Sequence, residues 1–109
     1  MTRVTFFQNS DGQCVGFTCH EHAGYAEEGE DIVCAAISAL VFNAVNSIEA
    51  FTDDQFTVDA DEASASIEFH LEKTPSKQCQ LLLSSLILGL QGIEDGQYSD
   101  FIDIIFEEV

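Results

Sequence analysis

The chain has 109 residues, enough for one domain spanning 1–109, and its core needs neither a disulfide nor a metal to be stable. Hydrophobic residues make up 46% of it and nine are Phe, which excludes intrinsic disorder in spite of a formal net charge of -17. Twenty Asp and Glu stand against Arg3, Lys73 and Lys77. Three scattered cations make no footprint for nucleic acid, whereas the acidic field would steer in a basic, Lys/Arg-rich partner or serve solubility alone.

The first ten residues, MTRVTFFQNS, carry one cation and a short apolar run, without the long apolar core of an export signal. A cytoplasmic, reducing location is therefore expected, with Cys14, Cys19, Cys34 and Cys79 as free thiols. The longest apolar-rich stretch is taken as Leu81 to Leu90, interrupted by Ser84, Ser85 and Gly89 and well short of the ~20 residues that cross a bilayer. A soluble protein is expected.

Val4 to Gln8 reads as a strand, Asn9-Ser10-Asp11-Gly12 as a turn, and Gln13 to Thr18 as the second strand of a hairpin. The polar segment His20 to Glu30, with Gly24 and Gly29 around an acidic stretch, reads as a mobile loop. Asp31 looks like the N-cap of a helix running to about Ala50, with Ile32, Val33, Ile37, Leu40, Val41, Ala44, Val45 and Ile48 at helical spacing. Gln55 to Asp59 and Ser64 to Glu72 follow as strands around a turn at Asp61-Glu62. Ala65, Ile67, Phe69 and Leu71 mark the inner face of the second strand. Thr74 and Pro75 signal the cap and first turn of a second helix that buries Leu81, Leu82, Leu86 and Leu90. Phe101 to Phe106 closes the chain as a buried strand. The order ββαββαβ favours an α+β fold, one mostly antiparallel sheet covered by two helices.

With Asp31 as the cap, Cys34 occupies the third helical position, near unpaired amides and the positive end of the helix dipole. That environment favours the thiolate, the nucleophilic form of cysteine. A nucleophile needs a base, and His22 lies in the loop leading into this helix, where Gly24 and Gly29 would let the chain fold back. His20 is a nearby competitor, and His70 lies on the polar face of a strand. Lone His and Cys residues are more often structural, so chemistry alone leaves the pair open. Ser38, one turn beyond Cys34, either lines the same pocket or is an ordinary helix serine. Asp31 could orient His22, but its simpler role is the helix cap. Cys14 and Cys79 read as packing residues, and Cys19 is ambiguous.

Cys19, His20, His22 and Cys34 are all zinc-type ligands, but they lack the paired spacing of a zinc knuckle, and adjacent Cys19 and His20 would point to opposite sides of a strand. The acidic run Glu27-Glu28, Glu30-Asp31 lacks the alternating pattern of a calcium loop. Neither a metal nor another cofactor is expected.

The segment HAGYAEEGEDIVCAAISAL, His22 to Leu40, resembles the signature of the ribosomal-processing cysteine proteases, the Prp family. The likeness extends over the whole chain and includes Phe42-Asn43-Ala44-Val45-Asn46. It implies a cysteine endopeptidase with Cys34 as nucleophile, His22 as acid and base, and Gly29, Asp31 and Ser38 as supporting positions. It also implies a homodimer and, as substrate, the N-terminal extension of a basic large-subunit ribosomal protein, cut after a Phe and before Lys-rich sequence. In that reading the 20–30 loop closes over the peptide as a lid. One departure is Glu21, where the family usually has glycine; a carboxylate there would restrict the backbone and favour a protonated imidazole. The alternative function is a non-catalytic acidic module that holds basic ribosomal proteins.

Overall fold

The computed structural model describes residues 1–21, 30–61 and 66–109. The elements are β1 Thr2–Gln8, β2 Cys14–Glu21, α1 Glu30–Phe51, β3 Phe56–Asp61, β4 Ser66–Leu71, α2 Lys77–Glu94, a short 3-10 turn Ser99–Phe101 and β5 Ile102–Glu108. The strands form one sheet in the order β3-β4-β2-β1-β5, antiparallel throughout except that β5 runs parallel to β1. The chain therefore has the expected α+β architecture, with the expected order of elements.

Alternation along β1 shows how sequence becomes layer: Thr2, Val4 and Phe6 are buried, while Arg3 is exposed and Thr5 and Phe7 are half-buried. The buried set joins Phe17, Cys19, Ile67 and Phe69 from the sheet with Val33, Ile37, Val41 and Ile48 of α1 and Leu83, Leu86 and Leu90 of α2 in one core. On the other face Arg3 and Asp103, register partners on β1 and β5, pair at 3.3 Å. Gly16 sits between Phe7 and His70 in the register, and a Cβ there would lie 2.6 Å from the Phe69 carbonyl oxygen. The missing side chain lets the Phe7 and His70 rings stack at 5.9 Å across β2.

The β1–β2 turn forms as the sequence predicts. Asn9 Oδ1 accepts from the Asp11 and Gln13 amides, each at 3.0 Å, and Gly12 adopts a positive φ of 77°.

Several expectations are corrected. β1 begins at Thr2 rather than Val4. Ile32 and Leu81 are 62% and 70% exposed, and the buried face of α2 is Cys79, Leu83, Leu86 and Leu90. In the run Leu81-Leu82-Leu83 the sheet selects the third leucine. β5 is an edge strand in which Ile102 alone is buried, because it has a neighbour on one side only. Ile32–Phe51 of α1 is long and apolar enough to cross a membrane, so Leu81–Leu90 is not the longest apolar stretch; α1 instead spends its inner face on the core. Ser64 and Ala65, assigned to β4, and Glu62 of the expected turn lie outside the described residues.

The N-cap of α2 is Ser76, not Thr74, and Pro75 precedes the helix. Ser76 Oγ accepts from the Cys79 amide at 3.1 Å, while the Ser76 amide donates to Asp54 Oδ2 at 2.8 Å and its hydroxyl donates to Asp54 Oδ1. Partial burial pulls the Asp54 carboxyl upward, but the bonds from Ser76 and Thr52 outweigh it and hold the group below the usual carboxylate range. A depressed folded value means that the unfolded chain binds the proton more readily. The stabilisation is therefore complete above the unfolded value of about 4 and is lost as pH falls below it. Asp54→Asn is expected to lower the melting temperature at pH 7, with the gap to the parent protein narrowing by pH 3; thermal melts at both values check this.

Candidate active site

Helix α1 runs Glu30–Phe51, so Asp31 lies within it and not at the expected cap position. Asp31 is therefore a first-turn residue, and Cys34 is the fifth helical residue rather than the third. The thiol stands just beyond the turn that holds the unpaired amides. It is partly exposed, and Ser38, one turn further on, is partly exposed too. His22 and Gly29 lie outside the described residues, as do the Asp31 side chain and residues 22–29 of the expected 20–30 loop, whose ends belong to regular elements instead, His20 and Glu21 to β2 and Glu30 to α1.

Among the described residues, Thr2 is one that the structure brings to Cys34. Its side chain is fully buried, and Oγ1 lies 3.6 Å from Cys34 Sγ. Thr2 has Glu21 of β2 as its partner on one side and Ile102 of β5 on the other. Sequence reasoning missed it by starting the strand at Val4. The period-2 continuation from Phe6 and Val4 to Thr2 was the available signal, since a hydroxyl on a core face needs a polar partner.

The other cysteines are placed differently. Cys19 is buried and the adjacent His20 is exposed, so the two occupy opposite faces of β2. Cys14 Sγ donates to the Gly16 carbonyl at 3.5 Å, and the Cys14 amide donates to Gln80 Oε1 of α2 at 2.8 Å. Burial pushes the Cys14 thiol up, against the Gly16 bond. Burial, with Asp54 and Cys14 adding, pushes the Cys79 thiol up to about 11. At pH 8 roughly one Cys79 in a thousand is then thiolate, compared with about a quarter of ordinary thiols. Iodoacetamide at pH 8 is expected to label Cys34 while Cys14 and Cys79 stay unmodified until the protein is unfolded, read by peptide mass spectrometry.

In this small sheet-and-helix domain Cys34, near the start of α1, is partly exposed while the other thiols are buried, which leaves it the described thiol placed to act as a nucleophile, as in a thiol hydrolase. The profile of the cysteine protease Prp family matches residues 1–103. The chain belongs to that family, and it is a cysteine protease. It is 31% identical over 98 residues to the ribosomal processing cysteine protease Prp of Bacillus subtilis (strain 168), covering 86% of this chain and 88% of that one. The crystal structure of the Staphylococcus aureus ribosomal processing protease Prp with a substrate peptide superposes with a TM-score of 0.92, at 28% identity over 98% of this chain and 100% of the other. The same protease with a covalently linked product peptide gives a TM-score of 0.87 at 29% identity, with the same coverage.

Proposed function

We propose that this protease removes the N-terminal extension of a basic large-subunit ribosomal protein during ribosome maturation, with Cys34 as nucleophile and His22 as its acid and base. One observation carries the site. Glu21, the residue immediately before His22, is the register partner of Thr2, whose hydroxyl lies against the Cys34 sulfur. The end of β2 and the start of α1 thus share one edge of the molecule. In the proposed reaction the Cys34 thiolate attacks the scissile carbonyl, and amides at the start of α1 offer hydrogen bonds to the oxyanion. His22 protonates the leaving amine and then takes a proton from the water that hydrolyses the acyl-enzyme. The covalent product complex of the S. aureus relative supports this route, and the net charge of -17 suits a Lys-rich substrate.

The protein is further proposed to act in the cytoplasm as a homodimer. Its four free cysteines suit a reducing compartment. Ile32, Phe42 and Phe51 on α1 and Leu88 on α2 are at least half exposed, apolar area that a second copy would cover. Mass spectrometry of the ribosomal-protein precursor after incubation with the enzyme tests the substrate. A new N-terminus following a Phe is expected, and an intact precursor overturns the assignment. Light scattering tests the dimer.

A further inference from the structure

We infer that Thr2 is a positioning residue for Cys34, an inference that rests on the reading of Cys34 as the nucleophile. Thr2 has no solvent exposure, so no bulk water serves its hydroxyl. Among the described residues the Cys34 sulfur, at 3.6 Å, is the hydrogen-bond partner of that hydroxyl. A buried hydroxyl left without a partner is destabilising, so the burial of Thr2 and the location of the sulfur are mutually dependent.

The support behind the contact is rigid. β1 is flanked by β2 and β5, and Thr2 is in register with a residue of each. Val4 and Phe6, next on the same face of the strand, are fully buried. A side chain on a strand held from both sides fixes a neighbouring group better than one on a loop does. While the thiol carries its proton, either atom can donate. Once the thiol ionises, the sulfur can only accept, and the hydroxyl becomes the donor by rotating its hydrogen, with no heavy atom moving. The contact therefore strengthens in the form that attacks, because hydrogen bonds to an ionised acceptor are the stronger ones. A fully buried Thr2 side chain is not exposed to a peptide, so the loss of its hydroxyl should fall on the chemical step.

Thr2→Val keeps the branched shape and removes the hydroxyl; Thr2→Ser keeps the hydroxyl. For precursor cleavage, Thr2→Val is expected to lower kcat about tenfold, with KM within about twofold, corresponding to roughly 1.4 kcal/mol in the barrier. Thr2→Ser should restore kcat to within about threefold of the parent protein. Iodoacetamide labelling of Cys34 at a fixed pH, which does not depend on peptide cleavage, should slow in Thr2→Val and recover in Thr2→Ser. Unchanged kcat and labelling in Thr2→Val overturn the inference. So does a loss that Thr2→Ser fails to restore, since it would indicate packing alone. If Cys34→Ala still cleaves, the nucleophile reading fails, and the labelling rates alone then decide whether Thr2 controls the sulfur.

Discussion

Cys34→Ala is expected to lower the rate of precursor cleavage by about four orders of magnitude or more, the scale on which enzymes lose activity when a covalent nucleophile is removed. No described thiol can take its place: Cys14, Cys19 and Cys79 are buried, and burial holds Cys14 and Cys79 in the protonated form. Ser38 lies one turn further along the helix, but an alcohol ionises far less readily than a thiol and is a far weaker nucleophile than a thiolate. The substitution removes one sulfur from a partly exposed position, so the stability change should stay within about 1 kcal/mol. Cleavage assays and a thermal melt on the same preparation check both statements. A folded variant that still cuts at the parental rate would require a different nucleophile.

Phe69→Ala is expected to have the largest effect on stability. Phe69 is fully buried at the middle of β4, with its ring 5.1 Å from Phe17 and 5.0 Å from Phe56. Phe17 in turn lies 5.8 Å from Phe6, so a chain of rings runs from β3 across to β1 beneath the helices. Removing the ring leaves a cavity beside the Phe17 and Phe56 rings, at a cost of about 3–5 kcal/mol. For a domain of this size that lowers the melting temperature by about 15–30 °C. Phe69 makes no described contact with Cys34, so whatever fraction stays folded should cleave with an unchanged KM. Differential scanning calorimetry and steady-state kinetics below the transition test the two halves of the claim.

The fold was legible wherever one residue pattern admitted one answer. Alternation at Ile67 and Phe69, the Asn9 to Gly12 turn and the long period from Val33 to Ile48 each forced an element. Legibility failed where local signals were degenerate. Thr74-Pro75 satisfies the rules for a helix start as well as Ser76 does, and the choice depends on Asp54, more than twenty residues earlier in the chain. Three consecutive leucines contain no information about which faces the sheet. At the site, Cys34 could be singled out from its place near a helix start. Thr2 was missed because the strand was started at Val4; alternation from Phe6 and Val4 reaches Thr2, but it does not encode the contact with Cys34.

The parallel pairing of β1 with β5 links the start of the chain to its end, with Thr2 opposite Ile102. Contacts between residues so distant in sequence are slow to form, and they cannot form at all until β5 has been synthesised. While the polypeptide is still emerging, β1 can acquire β2 as a neighbour but not β5, and the strand carrying Thr2 remains open on one side. The surroundings of Thr2 are thus the part of the sheet that is completed last.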